Sequence, residues 1–304
     1  MVGGGPAGLA AGIYAGRSRL KTVILEEKMP GGEVAVTPQI ENYPGFERIS
    51  GVELVEKMVR HCEKFGAQIN QLQRVVSLDL DQKEKIVTTE RAEYSAAAII
   101  AATGTHYRTL NVPGEAELQG RGVSYCALCD GAFFTGKKVI VVGGGNSAAS
   151  SAEYLSNIAD HVMLVHRRDQ LRAEAAYVDT LKAQNVQFAW DTEIRAIKGT
   201  GTVQSVTMQN TKTRELQEEQ VDGIFIQIGV IPNSALFQDA GITVDGGGYI
   251  IVNPSQQTNL PGVFAAGDVT NVPIKQIGTA VGQGIIAATE AFGYIKRPYY
   301  YKEM

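Results

Sequence analysis

The sequence is poor in cysteine: three residues in 304. A zinc site built on thiolates needs four ligands, and only Cys62 stands apart from the pair at Cys126 and Cys129, so a metal is the weaker reading of that pair. No apolar run approaches the roughly 18 residues of a membrane-spanning helix, which argues against a membrane protein. Charge is not gathered into a tail, and a net charge of -4 argues against a general nucleic-acid binder. A glycine-rich turn begins at Gly3 and leaves no room for a signal peptide, so a cytoplasmic location is expected. What is present, 44% hydrophobic and 20% charged residues, suits a globular chain long enough for two domains.

The two clustered cysteines carry the chemistry. In Tyr125-Cys126-Ala127-Leu128-Cys129-Asp130-Gly131 two residues separate the thiols, which brings the sulfurs within bonding reach. A cationic or helix-terminal setting would make one of them a reactive thiolate, and Asp130 is placed to shuttle the proton. Two inert buried thiols are the bland alternative. In a reducing compartment a CxxC pair is more often catalytic than structural.

The chain opens on Val2-Gly3-Gly4-Gly5-Pro6-Ala7-Gly8, with glycines at the first, third and sixth places of GxGxxG, and runs into a helix. Such a turn lets a pyrophosphate approach the helix N-terminus. Lys21–Leu25 reads as the next strand, and Glu26, eighteen residues after Gly8, stands where an acid accepts from ribose hydroxyls. The strand before the turn is only Met1 and Val2, where about five residues are usual. Residues 30–46 read as a ligand-facing loop. Val55, Met58, Val59, Cys62 and Phe65 mark an amphipathic helix with Cys62 in the core, 72–96 an antiparallel meander, and 97–104 a buried strand ending at Gly104.

After Pro113-Gly114 the programme repeats. Lys138–Val142 is a strand, Gly143-Gly144-Gly145-Asn146-Ser147-Ala148 a second glycine turn, and His161–Val165 the next strand. At the position equivalent to Glu26 stands His166, followed by Arg167, Arg168 and Arg172, a cationic cluster suited to a 2′-phosphate. Site one therefore suits FAD and site two NADPH. A second meander is expected over 193–219 and a second buried strand over 221–229. Gly262–Asp268 is a strand delivering Asp268 at its C-terminal edge, where it would bind a ribityl chain or, alternatively, start a helix. A last helix is expected from about Gln276 to Tyr294.

The ordered motifs GGGPAG (3–8), PGG (30–32), ENYPG (41–45), CALCDG (126–131), GGGNSA (143–148), HRRDQLR (166–172) and VFAAGD (263–268) closely resemble the low-molecular-weight thioredoxin reductases over essentially the whole chain. The resemblance implies an α/β fold with two Rossmann-like three-layer domains, each with a small antiparallel meander. The NADPH domain with the dithiol (111–235) is inserted into an FAD domain (1–110 and 236–304). It also implies a homodimer in which electrons pass from NADPH through FAD and the dithiol to thioredoxin or a thioredoxin-like protein. Carried over, Cys129 is the flavin-proximal thiol, Cys126 attacks the partner's disulfide and Asp130 is the acid/base.

The same resemblance places FAD against Gly3, Gly5, Pro6, Ala7, Gly8 and Glu26, against Gly31, Gly32, Glu33 and Asn42, against Thr103 and Gly104, and against Gly267, Asp268, Lys275, Gln276 and Ile277. It places NADPH against Gly143, Gly145, Asn146, Ser147 and Ala148, against His166, Arg167, Arg168 and Arg172, and against Ile228 and Gly229. The chain departs from the family's pattern at Glu33, where glutamine is usual, at Lys275-Gln276-Ile277, where Arg-Gln-Ala is usual, at Leu128, where threonine is common, and in its short first strand.

Because the dithiol directly precedes the first strand of the second repeat, it travels with that domain. Nicotinamide and thiols must both reach the flavin, so a rotation about the links near Asn111–Gly114 and Val230–Asn233 is inferred. Three other functions fit parts of the pattern. A glutaredoxin-like or peroxiredoxin-linked partner would use the same chemistry, a dithiol oxidase would not need the arginine cluster, and a non-catalytic flavoprotein scaffold would not need the cysteines.

Overall fold

The computed structural model describes residues 1–37 and 39–296. The chain forms two compact units, Met1–His106 with Ile231–Met304, and Tyr107–Val230. The unit boundaries thus fall at 106/107 and 230/231, a few residues before the 110/111 and 235/236 read from the sequence.

In the discontinuous unit, Gln68–Asn70 pairs in parallel with Val23–Leu25, and Val263–Ala265 pairs in parallel with Ile99–Ala101. Between these two pairs lies the two-residue stub. Val2 bridges both Leu25 and Ala101, its N–H donating to Ile100 O at 3.0 Å while Gly3 N–H donates to Leu25 O at 2.8 Å. The stub therefore supplies the central ladder bonds, and the flanking strands need be no longer than three residues each to sandwich it.

Helix Pro6–Arg17 begins on a proline, whose missing N–H costs nothing at that position. It buries a run of small residues, Ala7, Gly8, Ala10, Ala11, Gly12 and Ala15. These allow close approach of the long helix Ile277–Lys296: a side chain on Gly284 would collide with the backbone carbonyl of Ala7. On its other side, Gly12 leaves room for the Sγ of Cys62, a fully buried residue of helix Gly51–Lys64. Ser50 caps that helix, accepting from Glu53 N at 3.2 Å. A three-stranded antiparallel meander, Val75–Asp79, Lys85–Thr89 and Glu93–Ala96, completes the unit's first segment.

The continuous unit carries a five-stranded parallel sheet in the order Gln187–Ala189, His161–Val165, Lys138–Gly143, Gly223–Gln227, Val123–Ser124. Its central strands bury Val139, Ile140, Val141, Ile224 and Phe225 completely. Each such side chain contributes about 1.5–3 kcal/mol of burial, which makes this sheet a rigid base for whatever stands at its edges. The second meander, Thr192–Lys198, Ser205–Asn210 and Leu216–Gln220, packs Ile194, Ile197, Val206 and Met208 against Ile140 and Ile224 in one core cluster. In the discontinuous unit the observed strands Val23–Leu25, Ile99–Ala101 and Val263–Ala265 are shorter than the hydrophobic runs that announce them, whereas His161–Val165 keeps its expected bounds and Lys138–Gly143 runs one residue further. Burial continues one residue past the strand ends, as at Ala102 and Ala266, whose N–H groups still donate to Val2 O and Ala101 O.

Candidate functional site

Within the unit Tyr107–Val230, the edge strand Val123–Ser124 leads directly to the dithiol. Cys126 and Cys129 are joined as a disulfide with their Cα atoms 5.3 Å apart. Cys126 is the N-cap of the short helix Ala127–Asp130, its Sγ accepting from Cys129 N at 3.2 Å. Leu128, between the cysteines, is exposed. Asp130 is half-buried, and burial raises its pKa while a hydrogen bond from Ser124 acts in the opposite direction.

The chain before the dithiol is held at several points. Tyr125 stacks on Tyr107 with ring centroids 4.8 Å apart, and its hydroxyl donates to Glu115 Oε1 at 2.7 Å. Its carbonyl accepts from Gln227 Nε2 at 2.8 Å. Glu115 is only 3% exposed, and the same Oε1 also accepts from Leu110 N at 2.9 Å. A buried carboxylate is tolerated when its lone pairs are met by donors in this way.

In the same unit the second glycine turn has one open and two closed positions. A side chain on Gly143 would strike Gln227 O and Ala148, and one on Gly144 would strike the ring of His166, whereas nothing lies within 4 Å of that direction at Gly145. Gly145 is also the N-cap of helix Asn146–Ser156, and no side chain caps its first N–H groups. An anion at the open glycine would find free donors and the positive end of a helix dipole. Asn146 is held by Glu174, donating to Oε1 at 3.1 Å and accepting from Glu174 N at 3.0 Å. Ser147 is exposed, Ala148 buried.

The expected cation cluster resolves into two kinds of group. Arg167, Arg168 and Arg172 are exposed, and Arg172 N donates to Gly144 O at 2.6 Å, which ties their loop to the turn. His166 is 6% exposed, and its Nε2 has no hydrogen-bond partner among the described residues. Burial is the main cause that lowers its pKa, and the three guanidiniums add to it. The imidazole is therefore neutral packing under the turn rather than a surface charge. Ile228 is half-buried and Gly229 exposed with φ +105°, its carbonyl accepting from Arg108 N at 3.0 Å.

In the discontinuous unit the first turn repeats this geometry. Gly3 has φ +105° and backs onto the Ala102 carbonyl, Gly8 backs onto the Gly3 carbonyl, and Gly5 is open. Gly5 is again an N-cap with no side-chain partner, Pro6 and Ala7 following it. Glu26 Oε2 accepts from Gly4 N at 2.7 Å. Gly31 N donates to Gly4 O at 2.9 Å, which draws Gly31, Gly32 and Glu33 to the turn, while Asn42 Nδ2 reaches Gln276 Oε1 at 3.4 Å. Glu33 is solvent-accessible, yet the protein around its carboxyl raises its pKa, opposed by Lys28 and His106.

Asp268 follows Gly267, whose Cβ direction meets Ala7, so the backbone just before Asp268 packs against the first turn of the first helix. Burial raises its pKa and Lys275 lowers it. Lys275 Nζ donates to Asp268 O at 2.9 Å and Thr270 O at 2.7 Å and stands 4.1 Å from the Tyr249 ring centroid. Lys275 thus fastens the Asp268 loop. Gln276 and Ile277 lead into the last helix. Thr103 and Gly104 are bound to Asn233: Thr103 Oγ1 donates to Asn233 O at 2.6 Å, and Asn233 N donates to Gly104 O at 3.0 Å.

Several contributors carry no motif. Ser124 and Glu115 near the dithiol act on close sequence neighbours, whereas Gln227 beside it, Glu174 at the second turn, and Asn233, Tyr249 and Gln283 in the other unit act through contacts farther apart in sequence. Gln283 Oε1, for example, accepts from Gly267 N at 2.7 Å. Only Ser124 had a sequence signal, its position two residues before the first cysteine.

Each turn fits a dinucleotide phosphate: one open glycine, an uncapped helix of 11 or 12 residues, and no acidic residue in that helix's first turn. Among the described residues no helix is long and apolar enough to cross a membrane.

Residues 1–284 match the family model of the pyridine nucleotide-disulphide oxidoreductases. A thioredoxin reductase of Bacillus subtilis (strain 168) is 44% identical over 97% of this chain and 94% of its own length. One of Peptoclostridium acidaminophilum is 42% identical over 97% and 96%. The crystal structure of thioredoxin reductase from Streptococcus pyogenes MGAS5005 superposes with a TM-score of 0.93 at 43% identity, covering 97% of this chain and 96% of that one. These likenesses imply a flavin and a pyridine nucleotide as cofactors, and the Cys126–Cys129 pair fits a redox dithiol. The chain is a pyridine nucleotide-disulphide oxidoreductase, and within that family it belongs with the low-molecular-weight thioredoxin reductases.

Proposed function

We propose that the protein is a thioredoxin-disulfide reductase, a cytoplasmic homodimer that passes electrons from NADPH through FAD and the Cys126/Cys129 pair to thioredoxin or a thioredoxin-like protein. The observation that carries this reading is the Cys126–Cys129 disulfide, followed at once by the half-buried Asp130 and set in the same unit as the glycine turn open at Gly145. Exposed Arg167, Arg168 and Arg172 supply guanidinium forks for a 2′-phosphate, which supports NADPH over NADH. In the other unit Glu26 replaces them with a carboxylate, which supports an adenosine with free ribose hydroxyls, as in FAD.

In this proposal the unit 107–230 is the NADPH domain and the two outer segments form the FAD domain. When bound, the flavin supplies the two-electron chemistry that connects nicotinamide and disulfide. The residues of the chain bind, orient and move protons. Gly5 and Gly145 admit the phosphates, Lys275 keeps Asp268 in place, and Asp130 exchanges a proton with the reduced sulfurs. Cys126 would attack the partner's disulfide through a mixed disulfide, and Cys129 would resolve it. Chain order supports a rotation of the NADPH domain between half-reactions, since dithiol and nicotinamide ride on one body.

The test is anaerobic titration of the FAD-loaded protein with NADPH, followed by oxidised thioredoxin. Full bleaching only after about two equivalents of NADPH, one for the disulfide and one for the flavin, and recovery of the colour by thioredoxin are expected. Bleaching with no recovery by thioredoxin, but recovery by another disulfide protein, would move the partner assignment. No bleaching at all would overturn the function.

A further inference from the structure

Ser124 is buried, 5% exposed, and its backbone place is fixed by the sheet, where it lies opposite Phe225 in the ladder. Its hydroxyl uses both of its capacities on the dithiol segment. The oxygen accepts from Cys126 N at 3.0 Å, and the proton is shared between Asp130 Oδ2 at 2.7 Å and Cys126 O at 3.3 Å, the Asp130 oxygen being the closer acceptor. Among the described residues this is the side-chain hydrogen bond that reaches Asp130. One hydroxyl thus connects the first cysteine's backbone to the acid that follows the second.

We propose that Ser124 is a positioning residue for the dithiol chemistry, its hydroxyl holding the Asp130 carboxylate in register with Cys126. The inference rests on the proposed function and deepens it. When two electrons from the reduced pyridine nucleotide cleave the Cys126–Cys129 bond, both sulfurs become thiolates. Transfer of one proton from the Asp130 carboxyl leaves one thiol, one thiolate and an Asp130 carboxylate. That carboxylate is the species a hydroxyl donor stabilises, so Ser124 makes Asp130 the stronger proton donor. In the reverse direction it keeps the carboxylate aimed while the proton returns. A hydroxyl on a strand fixes this geometry better than one on a loop.

The experiment follows the Asp130 carboxyl directly. Difference infrared titration of the oxidised protein, with the band assigned by its loss in Asp130→Asn, is compared for the unmodified protein, Ser124→Ala and Ser124→Thr. Loss of the donor should raise the Ser124→Ala midpoint by about one pH unit, a tenfold change in ionised fraction. Ser124→Thr, which keeps the hydroxyl, should return to the original midpoint. The pH profile of NADPH-driven thioredoxin reduction should shift in the same direction and be rescued in the same way. A role confined to supporting the Cys126 backbone would lower the melting temperature of Ser124→Ala and leave the infrared midpoint unmoved, which would overturn the proposal. An infrared shift without a matching shift of the rate profile would also overturn it, since Asp130 would then be tuned without serving the reaction. Failure of the unmodified protein to reduce thioredoxin at all would count against the proposed function alone, and the infrared comparison would still decide whether Ser124 holds Asp130.

Discussion

The Oε2 atom of Glu26 accepts a hydrogen bond from the backbone N–H of Gly4 at 2.7 Å, so the acid after the second strand is tied to the turn that precedes the first helix. Its other oxygen accepts from Lys28 N at 2.9 Å. Each carboxylate oxygen keeps a further lone pair for a ligand hydroxyl. At the matching place of the other unit the side chain beside the turn's middle glycine is the imidazole of His166, packed against Gly144. The two turns share a backbone plan and differ in what leans on Gly4 and Gly144: an anion in one case, a neutral ring in the other.

The neighbouring glycines of the second turn should therefore separate folding from binding. An alanine at Gly144 meets the His166 ring, and such overpacking costs about 1–3 kcal/mol of stability. An alanine at Gly145 has open space, so stability should change by no more than about 0.5 kcal/mol. The methyl would instead occupy the place of a phosphate and weaken nucleotide binding about tenfold or more. Thermal unfolding and nucleotide titration of both variants check this. Equal affinities for the nucleotide in Gly145→Ala and the unmodified protein would show that the open glycine does not face the ligand.

Arg167 is exposed and makes no ion pair among the described residues, so its guanidinium is available to a phosphate at little reorganisation cost. A charge-assisted contact is worth about 1.5–3 kcal/mol. Arg167→Ala should raise the NADPH Michaelis constant about tenfold or more and leave NADH use nearly unchanged. Steady-state kinetics with both coenzymes measure it, and a proportional loss with NADH would remove the 2′-phosphate from the explanation.

Much of this plan was legible in the sequence because it is local. The glycine turns, the CxxC spacing and the β-rich runs after each helix are short-range patterns, and the turns, the disulfide and the second sheet stand where those patterns place them. The hidden part is set by contacts between distant residues. Nothing near His166 announces that its ring fills the space over Gly144, because the absent Cβ that makes room lies 22 residues earlier. Lys275 reads as a departure from a familiar motif, and only its two carbonyl partners reveal a loop fastener. The two-residue first strand also became intelligible only when its partners on both sides were in view.

The three cysteines should divide cleanly in their reactivity. Cys62 is fully buried, and burial pushes its pKa up to about 11, so it stays a thiol and out of reach of reagents. After reduction of the native protein, alkylation followed by mass spectrometry should mark Cys126 and Cys129 and reach Cys62 only on unfolding. Cys129→Ser should trap oxidised thioredoxin as a stable mixed disulfide through Cys126, since the resolving thiol is gone. Trapping by Cys126→Ser instead would exchange the two roles.

His166 makes stability depend on pH in a definite direction. Burial lowers its pKa, the Gly143 backbone hydrogen bond opposes that, and Arg172, Arg167 and Arg168 lower it further. The folded value therefore lies below the unfolded value of about 6.5. Between the two the unfolded chain holds more protons than the folded one, so stability rises with pH through that window. The contribution is complete above the unfolded pKa and is lost as pH falls through it. His166→Gln keeps a polar side chain of similar reach and does not titrate, so unfolding followed across this range should lose the part of the slope that belongs to this residue. A second measurement links the ring to the coenzyme. With only four histidines in the chain, the His166 resonance can be assigned by its absence in the variant. If the three guanidiniums receive a 2′-phosphate, added NADP should cancel their repulsion and raise the His166 midpoint, and NAD should not. A midpoint at or above 6.5 in the free folded protein, or the same response to both coenzymes, would contradict this account of the second turn.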